Sequence, residues 1–84
     1  MERDEVLAVL RDKAVELLGV EPGAITEQAS FVRDLDLDID SLDLVEYTMA
    51  VEDEFSITLP DEELTDLDNI GDMVTLVLAK KAAA

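Results

Sequence analysis

Apolar side chains recur along the chain at helical spacing in three stretches. Val6, Leu7, Leu10, Ala14, Leu17 and Leu18 fall on one face of a helix over residues 2–18, with Arg3, Asp12, Lys13 and Glu16 mostly off it. Gly19 and then Pro22-Gly23 supply its stop. A second stretch, residues 41–55, places Leu44, Tyr47, Thr48, Val51 and Phe55 in one broad arc at about 100° per residue. Asp40 suits its N-cap, and Asp43 suits the positive end of its dipole. A third, over residues 70–80, aligns Ile70, Met73, Val74, Val77 and Leu78, with Asp68 or Asn69 as cap and Lys80-Lys81 at the negative end. After Pro60, Asp61-Glu62-Glu63-Leu64 reads as a short helix or turn with Leu64 and Leu67 facing inward. Ser56 to Pro60 alternates like a strand, but a lone short strand has no partner to pair with. The pattern predicts an all-α four-helix bundle, three main helices and one short, as a single domain over 1–84 with residues 82–84 frayed. A long loop joins the first and second helices, from Val20 to Asp40. Its Ile25, Phe31, Val32 and Leu35 predict that it packs across the bundle instead of hanging free.

The second helix carries more apolar surface than a bundle needs. Leu42, Val45 and Met49 cluster opposite the core arc, where a bundle helix ordinarily presents polar side chains. Either a loop of the chain covers them or they form an exposed patch. In the second case Asp43, Glu46, Glu52 and Asp53 give that patch an acidic rim, and an apolar centre inside a charged rim is the make-up of a transient protein interface.

Composition narrows the chemistry. The 84 residues include no cysteine and no histidine, which removes disulfides, thiolate metal sites and the commonest general base near neutral pH. No apolar run approaches the roughly 20 residues that span a bilayer, and Met1-Glu2-Arg3-Asp4-Glu5 lacks the form of a signal peptide; a cytoplasmic protein without membrane insertion is expected. Net charge is −16, and from residue 34 to residue 79 the chain holds fifteen Asp and Glu and no Lys or Arg. Such a surface repels nucleic acid and attracts basic protein patches or cations. Asp34, Asp36, Asp38 and Asp40 alternate like the start of a calcium loop, but neither register supplies the required glycine and closing glutamate, so no specific metal site is expected. No carboxylate pair stands out for acid–base catalysis, and a four-helix domain this small rarely encloses a substrate cleft. An acidic adaptor that binds a basic protein, with no prosthetic group, fits these features.

Asp40-Ser41-Leu42-Asp43 at the start of an acidic helix resembles the phosphopantetheine attachment motif of acyl carrier proteins. Ser30-Phe31-Val32-Arg33-Asp34-Leu35 resembles the lead-in to that motif. Val45-Glu46, Met49-Ala50, Glu52-Asp53-Glu54-Phe55 and Leu59-Pro60-Asp61-Glu62-Glu63 resemble the downstream pattern in order and spacing. The resemblance implies that Ser41, flanked by Asp40 and Leu42, is joined to 4′-phosphopantetheine by a transferase that draws on coenzyme A. The arm's thiol then carries acyl groups as thioesters. It implies a monomeric, non-catalytic carrier served by a phosphopantetheinyl transferase, acyl or malonyl transferases, ketosynthases and other acyl-processing enzymes with basic patches. Fatty-acid and polyketide carriers share the motif, and the sequence does not separate them. A helix N-terminus after a long loop independently suits a phosphate-bearing serine, through unpaired N–H groups and the helix dipole. One departure stands out: Asp36-Leu37-Asp38-Ile39 sits where the family has about two residues fewer, which alters the loop's path into the motif.

Overall fold

The chain's structure, a computed structural model, describes residues 1–35 and 42–83. Four α-helices run through them: α1 (Arg3–Leu18), α2 (Leu42–Phe55), α3 (Asp61–Leu64) and α4 (Ile70–Ala83). No strand lies among the described residues, and Ser56 to Pro60 is irregular, as the lack of a pairing partner predicted. No helix among them is long and apolar enough to cross a membrane.

Helix ends follow the local chemistry. The Glu5 carboxylate reaches back to the Glu2 N–H at 3.3 Å at the start of α1, and Gly19 ends that helix in the left-handed region, φ 70°. α2 stops in the same manner on a serine: Ser56 takes φ 56°, and the Ile57 N–H folds back onto the Glu52 carbonyl at 3.1 Å. Of the two caps expected for α4, Asn69 takes the role, its Oδ1 accepting the Asp72 N–H at 2.8 Å. α4 continues to Ala83, beyond the Lys80 end that the periodicity gave.

The core forms where three helices meet. α1 packs against both α2 and α4. It buries Val6, Leu10 and Ala14 against Leu44, Tyr47, Val51 and Phe55 of α2 and Ile70, Met73, Val74 and Val77 of α4. Leu7 and Leu18 sit half-buried at its margin, as do Leu64, Leu67 and Leu78. Leu17 does not join them; it shares the face of Leu10, seven residues earlier, yet is exposed, so the core stripe of α1 is shorter than its sequence suggests. Tyr47 is fully buried and its hydroxyl donates to the Leu10 carbonyl at 2.8 Å, tying α2 to α1. Burial pushes its hydroxyl far above the ordinary tyrosine value, so it remains a donor throughout the working pH range. A buried hydrogen bond of this kind is worth about 1 kcal/mol, and losing one partner costs more than that because the other is left unpaired.

The long loop is anchored as its apolar residues predicted. Ile25, Phe31 and Leu35 are buried, while Val32 points outward and is 59% exposed. Its backbone does a second job. The first N–H groups of a helix have no partner inside it, and in α4 the Ile70 and Gly71 N–H groups donate to the loop carbonyls of Ala29 (2.9 Å) and Glu27 (2.8 Å). The approach at Gly71 is so close that a Cβ there would lie 2.9 Å from the Glu27 carbonyl oxygen, which only glycine permits. Arg3 closes the junction from α1. Its guanidinium donates to Glu27, to the Gly71 carbonyl (3.1 Å) and to Thr75 Oγ1 (3.0 Å).

The Arg3 hydrogen bond holds the Glu27 carboxyl below the usual glutamate range, against a smaller opposing desolvation and with a lesser contribution from the Arg3 charge. A carboxylate whose folded pKa is lowered adds stability above its unfolded value, and loses that contribution as pH falls through the folded one. Glu27→Gln is therefore less stable than the parent at pH 7, and the gap between the two urea midpoints closes as pH is lowered through about 4. A gap that stays constant from pH 7 to pH 3 contradicts this role for the ion pair.

Candidate functional site

α2 divides its apolar residues as its sequence predicted. Leu44, Tyr47, Thr48, Val51 and Phe55 are buried. Leu42, Val45 and Met49 are 72%, 45% and 57% exposed, so no described part of the chain covers them. Asp43, Glu46 and Asp53 are exposed around this stripe. Glu52 differs. It lies at the seam between the two faces, about 80° from Leu44 around the helix, half-buried, and its Oε2 accepts the Leu59 N–H at 2.7 Å. Its carboxylate is thus committed to the chain entering α3 and is not a free member of the rim.

Asp40 and Ser41, the residues of the attachment motif that precede Leu42, lie outside the described residues, as does the Asp36–Ile39 departure. The structure does describe the chain that precedes and follows them. The chain reaches position 35 with the Leu35 side chain buried. It arrives there through a tight turn in which the Asp34 and Leu35 N–H groups donate to the Ser30 carbonyl at 3.0 and 3.1 Å. The Asp34 carboxylate accepts the Ser30 N–H at 2.7 Å, and the Ser30 hydroxyl accepts the Arg33 N–H at 3.1 Å. Asp34 and Ser30 are therefore spent on the turn. On the other side, α2 opens directly on Leu42 at the surface.

Beside the exposed stripe a groove of about 280 Å³ runs between α2 and the segment that carries α3. Val45 and Met49 form its edge as well as the stripe, Leu44 and Thr48 lie deeper, and Leu59 and Leu64 face them. Glu52, Asp61 and Thr65 complete the lining among the described residues. The groove's far wall is held from behind: Lys80 of α4 pairs with Glu63 of α3 at 2.8 Å, and Lys81 donates to the Phe55 carbonyl at 3.0 Å. Sequence reasoning did not find this groove, because its two walls come from segments on either side of the turn at Ser56, whose angle no periodicity encodes. The Thr48 hydroxyl carried the one available signal, a polar group in an otherwise apolar arc.

No group of carboxylates among the described residues is arranged to hold a metal ion. Taken together, the stripe and groove leave apolar surface open along one side of α2, and the one hydroxyl that the sequence singles out precedes them on the chain.

The family model for a phosphopantetheine attachment site matches residues 8–77, from the middle of α1 nearly to the middle of α4. The chain is 41% identical over 75 residues to the meromycolate extension acyl carrier protein of Mycobacterium leprae, covering 89% of this chain and 64% of that protein. It thus spans less than two thirds of that relative's length. It is 40% identical over 72 residues to an acyl carrier protein of Wolinella succinogenes, covering 86% of this chain and 92% of that protein. An acyl carrier protein of Rhodococcus erythropolis is similar at 40% identity over 75 residues, 89% of this chain and 80% of that one. With a phosphopantetheine-attachment match across most of its length and relatives of that name on both counts, the chain belongs to the acyl carrier protein family.

Proposed function

We propose that Ser41 is the attachment residue, and that the protein presents acyl thioesters on its 4′-phosphopantetheine arm to partner enzymes without catalysing a reaction itself. The observation that carries the reading is the exposed Leu42–Val45–Met49 stripe, which begins one residue after Ser41. In attachment, a bond forms from Ser41 Oγ to phosphorus as the pyrophosphate bond of coenzyme A breaks, and the nucleotide half departs. The arm, when bound, supplies a thiol that holds an acyl group as a thioester. Residues of this chain fit such a group. The N-terminal end of α2 favours a nearby phosphate through its dipole, and Asp40 and Leu42 flank the serine.

Partner choice follows from the same helix. Leu42, Val45 and Met49 offer a small apolar contact, and methionine adapts to surfaces of more than one shape. Asp43, Glu46 and Asp53 steer basic patches of a transferase or ketosynthase toward it, an effect on encounter more than on affinity. Glu52 contributes its charge to this field from a fixed position at the groove. The relatives named for meromycolate extension favour cargo of the fatty-acyl kind over other products. The acidic surface and the lack of a spanning helix among the described residues suit a monomeric carrier working in the cytoplasm.

Two experiments test this reading. Incubation with coenzyme A and a broad-specificity phosphopantetheinyl transferase adds one phosphopantetheine to the intact mass of the parent and none to Ser41→Ala. An unmodified parent after that treatment contradicts the assignment and moves weight to an adaptor without a prosthetic group. For recognition, the double variant Glu46→Lys and Asp53→Lys keeps its helical circular dichroism but is loaded by the transferase with a kcat/KM reduced on the order of tenfold at low salt, the deficit shrinking as salt is raised. Equal loading kinetics in a folded variant rules the acidic rim out of partner choice.

A further inference from the structure

All the sulfur in this chain lies in three methionines, since it has no cysteine. The fold treats the three differently. Met73 is fully buried in the core that α1, α2 and α4 share. Met1 is exposed and precedes α1. Met49 is 57% exposed near the middle of α2, on a helix whose opposite face is anchored by the buried Tyr47 and Val51. A thioether's susceptibility to oxidation follows its exposure, so within the helices Met49 is open to an oxidant and Met73 is closed.

Position decides what an added oxygen does. Oxidation converts a flexible apolar side chain into a polar one. At Met73 the oxygen would enter the core and disrupt its packing. At Met49 it stays in water, beside Leu42 and Val45 in the exposed stripe, and the fold does not feel it. A partner that covers the stripe does feel it. The sulfoxide oxygen accepts hydrogen bonds from water and must give them up when a partner docks. Glu46 and Asp53, three residues before and four after on the same side of the helix, are exposed carboxylates and offer no donor in exchange. Leucine has nearly the volume of methionine and would serve the stripe without this sensitivity.

We infer that Met49 is a site of reversible oxidation, and that its sulfoxide weakens partner docking on the outward face of α2 while leaving the fold intact. A peroxide is the oxidant. The sulfur–oxygen bond forms as the peroxide O–O bond breaks, and the second oxygen leaves as water, so the sulfur loses the two electrons that the peroxide gains. Reversal takes a reductase with two thiols, which supplies two electrons, removes the oxygen as water and ends as a disulfide. This chain, without cysteine, supplies no such thiols itself. The inference rests on the α2 stripe being the docking face, and it adds how that face is switched.

The test treats the whole chain, before it carries an arm, with hydrogen peroxide and locates the added oxygen by peptide mass. Met49 takes up oxygen together with Met1, Met73 does not, and the thermal midpoint stays where it was. Loading of the oxidised protein by a phosphopantetheinyl transferase then falls roughly tenfold in kcat/KM, the effect of one polar group desolvated in a contact. A mixture of the two methionine sulfoxide reductases, one for each epimer, restores the rate. Met49→Leu, which keeps Met1, is compared with its own untreated sample and shows no change on oxidation. Oxygen at Met73 before Met49, an unchanged loading rate, a deficit that the reductases leave in place, or an equal deficit in oxidised Met49→Leu each overturns the inference. Met49→Gln, a polar stand-in for the sulfoxide, separates this failure from that of the docking face. A folded Met49→Gln that is loaded like the parent overturns both. A slowed Met49→Gln beside an oxidised parent of full rate overturns the inference alone. An untreated parent that is not loaded at all overturns the carrier reading and the inference with it.

Discussion

A fourteen-residue helix with apolar side chains on two opposite faces can bury only one of them in a bundle of four short helices, and the organisation of this protein follows from how α2 resolves that constraint. The wider arc goes inward. Tyr47, Val51 and Phe55 meet α1 and the core, and the Tyr47 hydroxyl fixes the rotation of α2 by its bond to the Leu10 carbonyl. With that rotation set, Leu42, Val45 and Met49 have no place to go but the surface. A turn of α2 large enough to hide them would withdraw Tyr47 from its acceptor and bring Glu46 and Asp53 toward the core. Exposure of the stripe is thus enforced by the packing of the opposite face, and a partner that covers it does not compete with folding.

The long loop makes this arrangement possible. By offering its Glu27 and Ala29 carbonyls as acceptors to the first N–H groups of α4, it adds a tertiary contact to the Asn69 cap and fixes where the segment leading toward α2 begins. Arg3 then joins three elements through one guanidinium. Charge is distributed with the same economy. The stretch from residue 34 to residue 79 has no basic residue, so the cations that hold it come from outside: Lys80 reaches Glu63 and Lys81 reaches the end of α2. The α2 rim is left without compensation, which projects a negative field from the face that the stripe occupies.

Much of this was legible in the residues. The helices, their order, the buried arc of α2 and its exposed counterpart all follow from spacing, because a 3.6-residue period leaves few alternatives when the apolar residues are this regular. Three positions depart from that pattern for reasons that spacing does not carry. Leu17 and Val32 are apolar yet exposed, since a residue's hydropathy does not say whether a neighbour exists to cover it. Glu52 was assigned to the rim by its charge, but its position at the seam of α2 brings it within reach of the Leu59 N–H, a contact set by how the chain turns after Ser56. The carbonyl caps on α4 left no trace in the sequence because every residue has a carbonyl. At the candidate site, the motif around Ser41 was readable only through family likeness. The neighbouring groove depends on the approach of α3, which local pattern does not encode.

The claim on which the rest stands is that the outward face of α2 is the docking face. Titrating the isotopically labelled protein with an unlabelled phosphopantetheinyl transferase, and following its backbone amide resonances, tests this most directly. The account predicts shifts and line broadening concentrated on Leu42, Asp43, Val45, Glu46 and Met49, with α1 and the middle of α4 nearly unmoved. Perturbation centred on α1 or α4, with the α2 stripe silent, would contradict it.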